Sequence, residues 1–97
     1  MTLPVVLSEI ARAEFDEAAD WLDERYGSGL RFIVRVERVL EQIGRYPELH
    51  RLVRNDLRRA IVPKTDYVIY YQVLPDRIEV VSVFHGSRDP EHWQERG

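Results

Sequence analysis

The stretch Tyr67–Trp93, YVIYYQVLPDRIEVVSVFHGSRDPEHW, decides the fold. Tyr67–Val73 and Arg77–Phe84 are dense in β-branched and aromatic residues, which suit a pleated, half-buried surface, and Leu74-Pro75-Asp76 breaks the chain between them. This is a β-hairpin. Behind it, His85-Gly86-Ser87-Arg88-Asp89-Pro90 places protonatable and turn-forming groups at the end of a strand that the pattern expects to be buried. Trp93 follows Pro90 closely and is expected on a short C-terminal helical turn, as a core anchor or as an anchor for a protein contact.

Upstream of the hairpin, Pro63-Lys64-Thr65-Asp66 reads as a turn and Arg58-Arg59-Ala60-Ile61-Val62 as a short strand entered through two arginines. Pro47 to Leu57 shows no sustained period of two or 3.6 and reads as a surface loop. Before it, Ile33, Val36, Leu40 and Ile43 mark one face of a helix that Ser28 can cap and Pro47 ends. An earlier helix carries Ala11, Phe15, Ala18, Leu22 and Tyr26 on its inner face, with Ser8 as N-cap and Gly27 as left-handed stop. Leu3–Leu7 is a first strand, with Pro4 near its end or edge because proline donates nothing to a ladder. The order β-α-α-β-β-β gives an α+β class: a helical hairpin packed on one face of a mainly antiparallel sheet, in a single domain over residues 1–97.

The 97 residues, 44% of them hydrophobic, suffice for one core. With no cysteine, neither a disulfide framework nor a thiolate metal site is possible. No apolar run approaches the length of a membrane span, and Met1–Leu7 lacks the basic start and apolar length of a signal segment, so the chain reads as a soluble cytoplasmic protein. The formal charge of −3 disfavours a dedicated nucleic-acid binder. That charge is unevenly spread: Ser8–Gly27 holds seven acids and two arginines, net −5, while Ser28–Asp66 holds nine bases and five acids, net +4. Arg31, Arg35, Arg38 and Arg45 share a stripe of the second helix, either a solvated face or a docking surface for an acidic partner.

Gly-rich phosphate loops, a nucleophile elbow and closely spaced metal ligands are all missing from the sequence, so no metal and no cofactor is expected. His85 and His92 are poorly spaced as a ligand pair, and Ser87 reads as a turn serine. His85 with Arg88 and the group Arg54, Arg58, Arg59 and Lys64 has the equipment for metal-free RNA cleavage: a group titrating near neutrality, and cations to stabilise charge at phosphorus. The plainer reading pairs Arg88 with Asp89 and leaves His85 to end its strand. Tyr67, Tyr70 and Tyr71 raise the question of a base-stacking platform, but Tyr67 and Tyr71 share one face while Tyr70 takes the other.

The ordered set RRAIV, YVIYY and VVSVFHGSRDPEHW, with Arg96 behind it, resembles the ParE/RelE superfamily of bacterial toxins, and most of all its ParE-type, plasmid-stabilisation branch. The resemblance implies the toxin of a type II toxin-antitoxin module, held inactive by a cognate antitoxin in a hetero-oligomer. ParE-like members bind and block DNA gyrase without catalysis of their own. RelE-like members cleave messenger RNA on the ribosome, and here only His85, Arg58, Arg59, Lys64 and Arg88 match such a site. The acidic net charge departs from the nuclease pattern and favours the gyrase inhibitor. A toxin-fold protein that only binds a partner is the third expectation. Arg31, Arg35, Arg38, Arg54, Arg58 and Trp93 are the expected partner contacts.

Overall fold

The computed structural model describes residues 3–86. The expected C-terminal helical turn, with Arg88, His92, Trp93 and Arg96, lies outside the described residues. Within them the chain runs β1 (Val5–Leu7), α1 (Glu9–Tyr26), α2 (Gly29–Arg45), β2 (Arg51–Arg54), β3 (Leu57–Ile61), β4 (Tyr67–Val73) and β5 (Ile78–His85). The strands form one sheet in the order β1-β5-β4-β3-β2, antiparallel throughout except that β1 runs parallel to β5. The α+β class and the packed helical hairpin are as the sequence predicts, with one strand more.

That strand is β2, which lies inside the expected loop Pro47–Leu57. All four of its residues are exposed, and it pairs only with β3, through an irregular register between Leu52 and Arg54. An edge strand with neither face buried has no reason to alternate, so its sequence carries no period of two. The turn into β3 places Asn55 in the left-handed region, φ 50°, which asparagine tolerates. Of the expected strands, Tyr67–Val73 is found as read, the strands before and after it are each displaced by one residue, the first begins at Val5, and His85 belongs to the ladder, opposite Tyr67.

α1 begins as its cap residue dictates. The Ala11 N–H donates to Ser8 Oγ at 3.0 Å, and Gly27 ends the helix at φ 66°. The start of α2 differs from expectation, because the Ser28 side chain makes no capping bond. Instead Asp23 Oδ1, on the preceding helix, accepts from the Gly29 N–H at 3.3 Å. Gly29 is where the helices touch: a Cβ there would stand 2.7 Å from Asp23 Cβ and 2.8 Å from the Ala19 carbonyl oxygen. Tyr26, expected on the inner face, is 67% exposed and packs edge-on against Trp21.

The core lies between this hairpin and the sheet. Phe15, Phe32, Tyr67 and His85 stack in succession, with ring centroids 5.8, 4.9 and 5.1 Å apart, linking both helices to β4 and β5. Phe32 is buried to 1% exposure, a burial worth about 1.5–3 kcal/mol. In β5 the register shifts, so that Tyr70 faces Ser82 and Tyr71 faces Val80, leaving Val81 as an extra residue. Ile78, Val80 and Val83 therefore share the core despite the broken alternation.

Two polar devices tie the layers together. Among the described residues the β1 ladder ends with the Ser8 N–H on the Val80 carbonyl, and further along β5 Glu14 of α1 takes up the bonds: its Oε1 accepts from Ser82 Oγ at 2.7 Å and from the Val83 N–H at 3.1 Å. At the other end of the sheet, Tyr71 is fully buried and donates its hydroxyl to the Pro47 carbonyl at 2.8 Å. Burial raises its pKa to about 12, against a smaller opposing pull from Arg58, so it stays a neutral donor. The His50 ring meets Tyr71 edge-on, and its buried Nε2 has no hydrogen-bond partner. Desolvation first and the Arg58 charge second lower the His50 pKa from its ordinary value.

Glu14→Ala leaves a buried N–H and hydroxyl unpaired, and the expected loss is about 1–3 kcal/mol, read as a lower urea midpoint. Because the folded-state pKa of His50 lies below its unfolded value, neutral His50 is fully compatible with the fold above pH 6.5. As pH falls below 6.5 the unfolded chain binds the proton first, and stability declines until the folded-state pKa is passed. His50→Phe should lose less melting temperature between neutral pH and pH 5 than the unsubstituted chain.

Candidate functional site

The first candidate surface is the outer side of α2. Arg31, Arg38 and Arg45 are exposed and Arg35 is half-buried. Arg45 is paired with Glu41 at 3.4 Å, an exposed contact of little energetic weight. Among the described residues, no carboxylate lies within 4 Å of Arg31, Arg35 or Arg38. Beside these arginines, at one end of the same helix pair, lie exposed Leu30, Val34 and Tyr26, with Leu30 at 73% exposure. Apolar side chains held in water next to cations make a surface suited to a protein partner. The helical period of the apolar residues, which placed Tyr26 inward, concealed this half of the surface.

Lys64 joins that side of the molecule. The sequence grouped it with Arg54, Arg58 and Arg59 around one strand, but the β3–β4 turn carries it toward α2, where it lines an open pocket with Arg35, Arg38, Val39, Gln42 and Pro63. The turn is closed by Val62 N–H to the Tyr67 carbonyl at 3.0 Å and is braced by Thr65. The Thr65 hydroxyl donates to the Val62 carbonyl at 2.9 Å, and the Tyr67 N–H donates back to it at 3.0 Å. Lys64 sits within it at φ 63°.

The remaining cations of the proposed nuclease group are divided. Arg58 and Arg59 are neighbours in β3, opposite Tyr71 and Tyr70 respectively, and so project to opposite faces of the sheet. The Arg58 guanidinium donates to the His50 carbonyl at 2.7 Å and to the Glu48 carbonyl at 3.3 Å, fastening the segment before β2. Arg59 lies on the far face with Tyr70, near Gly86. Arg54 is at the end of the edge strand β2. His85 is half-buried at the end of β5, its Nε2 3.7 Å from Asp66 Oδ2 and its ring against Tyr67. Tyr67 and Tyr71 are both core residues, which leaves Tyr70 alone of the three tyrosines on the other face.

A second surface is the groove between α1 and the C-terminal part of β5. Glu14, Glu17, Ala18 and Trp21 line one wall, and Tyr67, Val83, Phe84 and His85 the other, around about 220 Å³. Trp21 is 39% exposed, and the Arg25 guanidinium lies 5.0 Å from its ring centroid. Among the described residues no group of three His, Asp or Glu side chains is placed to hold a metal ion, and no helix is long and apolar enough to cross a membrane.

Comparison with known proteins speaks to the family and the fold. No curated protein matches the sequence. A chain from the solved structure of the chromosomal ParDE TA system from P. aeruginosa shares the fold with a TM-score of 0.65 at 12% identity, over 87% of this chain and 96% of that one. The family model for the ParE toxin of type II toxin-antitoxin systems, parDE, matches residues 5–90. With a family match running from β1 through the last strand and beyond it, the chain belongs to the ParE toxin family of type II toxin-antitoxin systems.

Proposed function

We propose that this ParE-family toxin acts by binding rather than by catalysis, that its target is DNA gyrase, and that a cognate antitoxin neutralises it in a toxin-antitoxin hetero-oligomer in the cytoplasm. The observation that carries the reading is the outer side of the helical hairpin. Leu30 and Val34 stand in water beside Arg31, Arg35 and Arg38, which lack carboxylate partners among the described residues. Such a surface gains free energy by being covered by protein.

The distribution of the other basic groups supports the same reading. A metal-free nuclease needs its acid, base and charge-stabilising groups around one phosphodiester. Arg58 is taken up by backbone carbonyls, Arg59 faces the other side of the sheet, and Lys64 leans on α2. The antitoxin partner follows from family membership and from the ParDE system to which the fold is similar. The proposed partner-contacting set is then Arg31, Arg35 and Arg38 with Leu30 and Val34; Arg54, on the edge strand β2, and Trp93, outside the described residues, remain further proposed contacts.

Inducing the chain alone should arrest growth with a DNA-damage response and intact messenger RNA, and purified protein should inhibit gyrase supercoiling in proportion to its concentration. Paired charge reversal, Arg31→Glu with Arg38→Glu, should weaken that inhibition by about tenfold or more, whereas His85→Ala should leave it unchanged. Unaltered supercoiling at every concentration would remove gyrase as the target. Toxicity that disappears with His85→Ala, together with rapid messenger-RNA decay, would favour the RelE-like ribonuclease, and absence of any toxicity would leave a binding protein on a toxin fold.

A further inference from the structure

We propose that Arg35, Arg38 and Lys64 form a carboxylate-binding pocket that receives the acidic side chains of a short segment of a partner protein. The inference deepens the reading of the α2 stripe as a binding surface, and it holds whichever macromolecule the toxin disables. Two arginines from α2 and a lysine from the β3–β4 turn surround one open pocket, with the Gln42 amide beside them and Val39 and Pro63 as its apolar walls. Among the described residues none of the three cations has a carboxylate within 4 Å. Like charges that line one pocket disfavour one another, and a bound anion relieves this.

The backbone supplies an independent argument. Lys64 adopts φ 63°, in the left-handed region that residues with a Cβ avoid. The other described non-glycine residue with positive φ is Asn55, in the β2–β3 turn, where an asparagine bears the strain with little cost. At the β3–β4 turn the equivalent strain falls on a lysine, in a backbone held by the Thr65 bonds. Glycine or asparagine would serve the turn better. A lysine there is accounted for by its place in the lining of the pocket, beside Arg35 and Arg38.

The surroundings favour carboxylates on a polypeptide over the phosphates of a nucleic acid. Guanidinium groups bind carboxylates through paired hydrogen bonds, and the Val39 and Pro63 walls suit the methylenes of a glutamate. A nucleic-acid backbone gains affinity from many successive phosphates. Such a run is disfavoured by a chain of net charge −3 whose α1 exposes Glu9, Asp16, Asp20, Asp23 and Glu24. A short acidic segment needs only the local cluster of cations.

The test is fluorescence anisotropy on the full chain with two labelled probes, a short peptide of alternating glutamate and alanine and a short oligothymidylate, with thermal melts of each variant. The peptide should bind more tightly than the oligonucleotide. Arg38→Ala should weaken peptide binding by about three- to tenfold, while Arg12→Ala, an exposed arginine on α1, should leave it within twofold. Lys64→Gly should raise the melting temperature by relieving the turn and at the same time weaken peptide binding about as much as Arg38→Ala. The proposal is overturned by no peptide binding to the unsubstituted chain, by tighter binding of the oligonucleotide, by equal effects of Arg12→Ala and Arg38→Ala, or by a Lys64→Gly chain that melts higher yet binds the peptide as before. Gyrase supercoiling is read separately, so loss of the pocket and loss of the gyrase target are distinguishable.

Discussion

Ser8 holds the junction on which the two layers depend. Its N–H donates to the Val80 carbonyl at 3.0 Å as the last bond of the parallel pairing, its hydroxyl donates to the Val81 carbonyl at 3.2 Å, and the same oxygen accepts from the Ala11 N–H to start α1. One residue thus ends a strand, anchors to the bulge of β5 and caps a helix. Because β1 stops there, the chain leaves the sheet beside Val80, and α1 is laid across β5 close enough for Glu14 to bond Ser82 and Val83. The bulge is part of the same arrangement, since Val81 stands outside the β4–β5 pairing while its carbonyl accepts from Ser8.

From that junction the division of charge follows. α1 must bury Ala11, Phe15, Ala18 and Ala19 against the sheet, and its exposed side is mostly acidic. α2 buries Phe32, Val36, Val39 and Ile43 and turns its arginines outward. Gly29 lets the helices approach where the chain reverses, so an acidic and a basic surface belong to one compact layer. The ParE-family chain built this way presents cations and apolar side chains on α2, and carboxylates with Trp21 in the groove beside β5.

Much of the fold was legible in the chain because it rests on local chemistry. Ser8 and Gly27 announced the ends of α1, and Leu74-Pro75-Asp76 announced the hairpin. Illegible features depended on groups distant in sequence or on the absence of burial. Ser28 looked like a cap, but Asp23, six residues before Gly29, accepts from that N–H. β2 lacked alternation because neither of its faces is covered. Tyr26 continued the apolar period of α1 past the point where the sheet remains beneath it. For the candidate site, the arginine stripe was visible as helical spacing, whereas Leu30 and Val34 became part of it only once their exposure was known.

The sequence by itself determined the elements, their order, the segregation of charge between two helices, and the family resemblance carried by RRAIV, YVIYY and the residues after Val80. These are properties of neighbours along the chain, governed by propensity, capping and period. Which cations lie together depended on the tertiary structure. Arg58 and Arg59, adjacent in sequence, were separated by strand alternation onto two faces, while Lys64 was brought to Arg35 and Arg38 across the gap between a turn and a helix. The reason is geometric: a strand sends successive side chains in opposite directions, and a tight turn with a residue in the left-handed region redirects one side chain toward whatever packs beside it.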